Sequence, residues 1–359
     1  IDVMRQGGAQ RVLKVMLEIL QKQGYEVCLV VLKKTKDLVQ LQNTKVIYLL
    51  KNENQPLLAN SFYLLEEFSN LAKEYDLIVS FMDFITSYYA SLVAKILVKP
   101  YYAFVRCEPS YVACNFPQAK INQSIYAMCL QGARAVVCNS KASLKDVQSN
   151  FGVLPSKTIL LYNPIHFPVI NYQEEEIEGC SSKKEIFCLA IGRLHPQKNY
   201  LTLFEAFKNL PTSIKLYVLG EGDQREELES YCRRSKIANI VLLGFREDVS
   251  LFFKKADIFI HASTYEGLPN AVLEAASFGI PSIVSDIPVH REIFGEGEGA
   301  LFFDPANVQG ICDNIQTLIH DDSLYVTLRR QSAKIAKKFS LEAFSKGVLS
   351  IFENAKNQG

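Results

Sequence analysis

The stretch that decides the fold is His261-Ala-Ser-Thr-Tyr-Glu-Gly-Leu-Pro-Asn-Ala-Val-Leu-Glu-Ala-Ala276, preceded by Ala256-Asp-Ile-Phe-Ile260. The short apolar run reads as a buried strand, and Pro269 falls at the first position of a helix, where its fixed φ and missing N–H cost nothing. Strand, loop and helix start in this order define an α/β unit. Such a junction presents unpaired backbone N–H groups, here those of Asn270 and Ala271, at the positive end of a helix dipole, which suits a phosphate. Glu274 lies one turn further on, inside the apolar Ala-Val-Leu-Glu-Ala-Ala. A carboxylate there is costly unless its oxygens find partners, and a sugar diol would supply them. Glu266 precedes the glycine turn at Gly267, so the two carboxylates flank one anion site. Taken singly, the two glutamates read better as a solvated loop residue and a helix residue reaching the surface.

Together, Glu266, seven residues and Glu274, with Gly267-Leu268-Pro269-Asn270 between, resemble the donor-site signature of the retaining glycosyltransferases of family 4 (group 1). The resemblance covers nearly the whole chain. It implies an α/β GT-B fold: two Rossmann-like doubly wound parallel-sheet domains facing across a cleft, with a nucleotide-activated sugar bound mainly by the second. By that resemblance Glu266 holds the sugar, Glu274 the ribose diol, and the Leu268 to Ala271 backbone a phosphate.

Working back from the signature, Ile186 to Ile191 reads as the opening strand of the second domain. Gly192-Arg-Leu-His-Pro-Gln-Lys-Asn199 then leads to a helix from Tyr200. A glycine with two cations between strand and helix suits a diphosphate, although two surface cations in a polar loop would give the same letters. The resemblance gives Arg193 and Lys198 the diphosphate role, and His195 is read as a loop residue without a catalytic one. Gly220 caps the strand Lys215 to Leu219 and permits a tight turn near a ligand. After the strand Asn239 to Leu243, the resemblance lays a nucleobase against Phe245 or Arg246; Phe245 would alternatively plug the core.

In the first half, Ile1 to Met4 resembles the tail of a largely missing strand, followed by Gly7-Gly8, where a backbone approaches phosphate or sugar closely. Strands at Glu26 to Leu32, Lys45 to Leu50, Leu77 to Phe81, Tyr101 to Val105 and Ala135 to Cys138 alternate with helical stretches, the spacing of a parallel sheet. Asp83 follows one strand as a cleft residue or a helix cap. Arg106-Cys-Glu-Pro109 follows another, in a loop where many family members carry histidine and this chain has none. Glu108 is the nearest replacement, with an ordinary loop charge as its alternative.

Hydrophobic residues make up 48% of the 359, enough for two cores, and the net charge is +1. The charge is uneven: up to Pro164 there are 18 Lys and Arg against 12 Asp and Glu, and beyond it 21 against 26. The basic first half would suit an anionic lipid surface, and scattered lysines on solvated helices would give the same count. Nothing singles out nucleic acid. The nine cysteines include no C-x-x-C pair, and several lie inside apolar strands, which reads as a reduced cytoplasmic chain without disulfides or zinc. No stretch reads as a signal peptide, and the apolar run Phe84 to Val98 is short and interrupted by Lys95.

The resulting expectation is an N-terminal acceptor-binding domain at 1–164, a linker at 165–184, a donor-binding domain at 185–338 and a helix at 339–359 crossing back to the first domain. The expected reaction is retaining transfer from a nucleotide-diphosphate sugar to a glycan or lipid-linked acceptor. The resemblance favours a UDP-linked hexose or N-acetylhexosamine and a place in cell-surface polysaccharide or glycoconjugate assembly. Catalytic candidates are Glu266, Arg193, Lys198 and Glu108. No metal or other cofactor is expected, since there is no Asp-x-Asp triplet and the two cations with the helix dipole would stabilise the leaving diphosphate. The chain is expected in the cytoplasm, with peripheral contact at the cytoplasmic face of a membrane. A nucleotide-sugar epimerase of the same fold and a non-catalytic partner subunit are the competing readings.

Overall fold

The computed structural model describes all residues except 5–6, 36–40, 42, 115–117, 172–177 and 358–359. The chain divides into two compact units, Ile1–Pro164 with Leu341–Gly359, and Ile165–Ser340.

The first unit contains α1 (Gly8–Lys22), β1 (Cys28–Lys33), β2 (Lys45–Leu50), α2 (Ser61–Ala72), β3 (Ile78–Ser80) and α3 (Ile85–Leu97). It continues with β4 (Tyr101–Val105), α4 (Pro109–Cys114), α5 (Ala119–Gln131), β5 (Ala135–Cys138), α6 (Lys141–Phe151) and β6 (Thr158–Leu160). Among the described residues its strands form two parallel sheets, β1-β2 and β3-β4-β5-β6. Both β4 and β5 are buried along their whole length, as parallel strands covered by helices on two faces must be. The Ile1 and Asp2 carbonyls accept the N–H groups of Leu32 and Lys33, so the first residues run along the edge of β1. On α1, Val12, Leu13, Met16, Leu17 and Leu20 repeat at helical spacing and are buried.

At the carboxyl ends of β3 and β4, Asp83 accepts the Arg106 N–H at 3.3 Å and the Tyr126 hydroxyl at 3.0 Å. Sequence alone left Asp83 as a ligand-facing residue or a helix cap; the capping position of α3 is Phe84, and Asp83 instead ties β3, β4 and α5 together. Burial raises its carboxyl to about 6 even though the Tyr126 and Arg106 bonds oppose the shift.

The second unit contains β7 (Ile186–Ile191), α7 (Tyr200–Lys208), β8 (Ile214–Leu219), α8 (Arg225–Arg234), β9 (Ile240–Gly244), α9 (Val249–Lys255) and β10 (Ile258–His261). After these come α10 (Asn270–Ser277), β11 (Ser282–Ser285), α11 (Pro288–Phe294), β12 (Ala300–Phe303), α12 (Val308–His320) and α13 (Asp322–Ala336). Its six strands form one parallel sheet in the order β12-β11-β10-β7-β8-β9. Successive strands step outward from β7 to β9, and then from β10 to β12 on the other side. The order therefore reverses between β7 and β10, the crevice where open α/β sheets hold ligands.

One boundary differs from the sequence expectation. Part of the stretch expected as a linker is packed on the second unit: Phe167 packs edge-on against the stacked pair Phe253 and Phe278, Cys180 is fully buried, and Asp322 accepts the Ser181 N–H at 3.0 Å. Single aromatic and cysteine anchors in an irregular segment leave no periodic signal, which is why the segment read as a linker; Glu174, Glu175 and Glu176 lie outside the described residues. The last helix, α14 (Leu341–Asn357), belongs with the first unit, where Phe352 meets Tyr25 edge-on at 6.2 Å and Gly347 leaves room for Leu161. All nine cysteines are free.

The Asp83 junction generates a stability prediction. Tyr126→Phe removes one of two donors from an enclosed carboxylate, so the urea midpoint should fall by an amount equivalent to about 1–3 kcal/mol. An unchanged midpoint would show that Asp83 does not hold β3, β4 and α5 together.

Candidate active site

The loops that leave β7 and β10 are locked to each other. The Gln197 carbonyl accepts the Thr264 N–H at 2.9 Å, and the Gln197 side-chain amide donates to the Tyr265 carbonyl at 2.8 Å. Lys198, at the end of a short 3-10 turn begun by Pro196, forms an ion pair with Glu266. His195 caps that turn, its Nδ1 accepting the Gln197 N–H at 3.2 Å.

Glu266 is the centre of the arrangement. Its Oε1 receives Lys198 Nζ, Ser263 Oγ at 2.7 Å and His261 Nε2 at 3.1 Å. All three donors converge on that one oxygen, and Oε2 has no hydrogen bond among the described residues. Burial alone would raise this carboxyl, but Lys198 and the His261 contacts outweigh it and hold the group well below the usual carboxylate range. Glu266 is therefore an anion at neutral pH. His261 ends β10, and Ser263 lies two residues on, the spacing that keeps two side chains on one side of an extended chain. That alternation was the available sequence signal for both residues, which were read only as flanks of the signature.

Behind His261, the His290 ring packs at 5.4 Å and Nδ1 of His290 donates to the Ser285 carbonyl at 2.7 Å. Burial and neighbouring His261 push the His290 imidazole down to about 3, and burial with nearby Lys198 lowers His261 as well. Both rings are neutral at pH 7.

The glycines expected near a ligand bring backbones into contact. Gly220 has φ +143°, and a Cβ there would collide with the Gly192 carbonyl; Gly220 also donates its N–H to Gly244 O at 2.8 Å. A Cβ on Gly192 would meet Lys198 at 3.1 Å and the Tyr200 hydroxyl at 3.2 Å. These residues thus draw the ends of β7, β8 and β9 together beneath the Lys198 loop.

Pro269 precedes α10 rather than occupying its first turn, and the helix begins at Asn270. Its carbonyl accepts Val272 N–H at 3.1 Å, so the turn starts one residue later than proline preference suggested. Gly267 to Asn270 are buried, as is Glu274 at 1% exposure, while Ala271 is half-buried. Arg193 is exposed and makes no ion pair among the described residues. Phe245 does not plug the core, because β9 ends at Gly244 and leaves it 52% exposed. Arg246 is held by Asp248 through two 2.8 Å bonds.

Compared with known proteins, residues 172–339 match the description "Glycosyl transferases group 1" and residues 6–167 match "Glycosyltransferase Family 4". The chain belongs to the family 4 glycosyltransferases. This glycosyltransferase is 27% identical over 343 residues to the N-acetylgalactosamine-N,N'-diacetylbacillosaminyl-diphospho-undecaprenol 4-alpha-N-acetylgalactosaminyltransferase of Campylobacter jejuni, covering 93% of this chain and 92% of that protein. A second Campylobacter jejuni protein, a GalNAc-alpha-(1->4)-GalNAc-alpha-(1->3)-diNAcBac-PP-undecaprenol alpha-1,4-N-acetyl-D-galactosaminyltransferase, is 25% identical over 371 residues, covering 99% and 98%. Among solved structures, Anabaena Alr3699/HepE in complex with UDP-glucose shares the GT-B fold with a TM-score of 0.82 at 20% identity, covering 98% of both chains.

The remaining candidates of the glycosyltransferase lie in its first unit. Gly7 precedes α1 in extended conformation with φ −172°, and a side chain there would strike Gln10. Gly8 opens the helix. Glu108 is buried at the start of α4, its carbonyl accepting the Val112 N–H at 3.4 Å.

The neutral histidines generate a pH prediction. The folded His290 pKa lies below its ordinary 6.5, so between 6.5 and about 3 the unfolded chain binds a proton that the folded one does not. Its contribution is complete above pH 6.5 and declines as pH falls. His290→Gln should therefore lose less of its urea midpoint between pH 7 and pH 5 than the wild type. Equal losses would place the acid sensitivity elsewhere.

Proposed function

We propose that this glycosyltransferase moves a hexose or N-acetylhexosamine from a UDP-linked donor to a lipid-linked saccharide, with retention of configuration and without a metal ion. The supporting observation is the interlock at the reversal of the second sheet, where Lys198, Glu266 and the first turn of α10 converge. A cation, a carboxylate with one oxygen open and a helix N-terminus together suit a sugar diphosphate. The names of the two Campylobacter proteins support a diphospho-undecaprenol acceptor and an N-acetylhexosamine, and the HepE complex supports UDP. Both names also specify alpha products, which an alpha-linked nucleotide sugar yields by retention.

In this reading Arg193, Lys198 and the Leu268–Ala271 backbone take the diphosphate, Glu274 the ribose diol, and Glu266 Oε2 a sugar hydroxyl. Gly220, Phe245 and Arg246 line the nucleoside, Gly7 and Gly8 approach the donor's phosphate or sugar, and Glu108 serves the acceptor side. The bond from the anomeric carbon to the diphosphate oxygen breaks as the acceptor oxygen bonds to that carbon on the same face. The acceptor proton passes to the departing diphosphate, and Glu108 orients the hydroxyl. Charge gathers on the diphosphate while the sugar becomes cation-like, so fixed cations and N–H dipoles contribute more than a protein nucleophile would. The reaction takes place at the cytoplasmic face of a membrane, where a lipid-linked acceptor resides.

Glu274→Ala should weaken donor binding by about 1.5–3 kcal/mol with the fold intact, as measured by calorimetric titration of UDP-sugars. Lys198→Ala should mainly lower kcat, and EDTA should leave the wild-type rate unchanged. Wild-type affinity and turnover in both variants would remove the assigned site, and loss of rate in EDTA would remove the metal-independent reading.

Glu108→Gln should slow transfer without abolishing it, since the amide still positions a hydroxyl but accepts it less strongly. Proton NMR of the product should show the donor's anomeric configuration; an inverted centre would refute retention, and an unaltered Glu108→Gln rate would leave Glu108 as a structural residue.

A further inference from the structure

Helices α3 and α5 lie side by side on the first unit: the Tyr88 hydroxyl donates to the Asn122 carbonyl at 3.2 Å, and Lys95 lies beside Gly132. Their inward faces carry Ala90, Val93, Ala94, Tyr126 and Leu130 into the core. Their outward faces are apolar as well. On α5, Ile121, Ile125 and Met128 are exposed at i, i+4 and i+7, and on α3 Leu92 and Ile96 are exposed at i and i+4, with Val98 91% exposed just beyond. An outward stripe at helical period is not the scattered apolar exposure that any surface shows.

Along α3, α5 and the segments that follow them the exposed charges are cations, while the acidic Glu66, Glu74 and Asp76 lie with α2 on the far flank of α3. From Leu77 to Lys145 the only acidic residues are Asp83, which faces inward to Arg106 and Tyr126, and Glu108, which is buried. Lys95, Lys120, Arg134, Lys141 and Lys145 are exposed, and a cavity of about 440 Å³ opens between Lys95 and Arg134. Lys99, also on this side, is turned onto the carbonyls of Ala72 and Lys73.

From these positions we propose that the α3–α5 face seats on an anionic lipid bilayer, its aliphatic side chains entering the interface and its cations meeting lipid phosphates. A second copy of the chain fits the same face poorly, because a two-fold contact would set cations against cations. Among the described residues no helix is long and apolar enough to cross a membrane, so attachment by this face is interfacial. The proposal rests on the reading that the acceptor is lipid-linked, and it adds the surface by which the enzyme reaches it.

Flotation of the full chain with vesicles of phosphatidylcholine, with and without phosphatidylglycerol, tests this. The wild type should float with the anionic vesicles and be released by salt. Lys95→Glu/Lys120→Glu/Arg134→Glu should lower the bound fraction by about tenfold, as should Ile96→Ser/Ile125→Ser/Met128→Ser. If either triple variant misfolds by circular dichroism, Lys120→Glu or Ile121→Ser, both at solvent-facing positions, should lower it in the same direction. Variants that float like the wild type overturn the proposal, as does a wild type that binds neither vesicle. So does a wild-type dimer, seen by light scattering, that the apolar variant abolishes. A wild type that glycosylates a lipid-linked acceptor in detergent but does not float refutes the docking face alone; one that floats but transfers no sugar refutes the functional reading alone.

Discussion

A buried carboxylate is tolerated only when its charge is met, and Glu266 meets that condition by reaching into a different loop. Lys198 supplies the opposite charge, and Ser263 and His261 supply further donors. Removing one member of such a set leaves an uncompensated charge, so the set constrains the chain more strongly than its net energy suggests. Because Lys198 follows β7 and Glu266 follows β10, the interaction requires β7 and β10 to be neighbours with their carboxyl ends level. The sheet provides this at the point where its strand order reverses. The positive φ of Gly220 and the contact of Gly220 with Gly192 then bring the next loop up from below.

The same set fixes the Glu266 side chain in one orientation. Lys198 and Glu266 neutralise each other, so neither stands as an unmatched charge, and the convergence of donors on Oε1 orients Oε2 without engaging it. Under the proposed function, preorganisation of this kind would spare the reorganisation that solvent needs as charge develops. His261 can act here only as a neutral donor, and its burial with nearby Lys198 favours that form.

The first unit solves a related problem at Asp83. One carboxylate at the ends of two strands gathers a backbone N–H and a tyrosine hydroxyl, and its pKa rises because burial outweighs those bonds. The helices packed around it, α3 and α5, carry no acidic residue of their own, and their charged side chains are Lys95 and Lys120.

Much of the architecture was legible in the chain's letters. Buried parallel strands appear as short apolar runs, and Tyr101 to Val105, Ala135 to Cys138 and Ile186 to Ile191 coincide with the residues that pair. The Glu266 to Glu274 signature likewise fixed the family, because strand, turn and helix start are local in sequence and each is set by its own residues. Sequence did not assign the partners. Whether Lys198 meets a phosphate or Glu266, whether Asp83 caps a helix or ties strands, and whether His261 and Ser263 take part at all depend on contacts between residues far apart in the chain. Phe167 and Cys180 show the same limit, since isolated anchors in an irregular segment carry no period. Local periodicity is written by neighbouring residues and can be read from them; the pairing of buried charges is decided only when sheet order brings distant loops together.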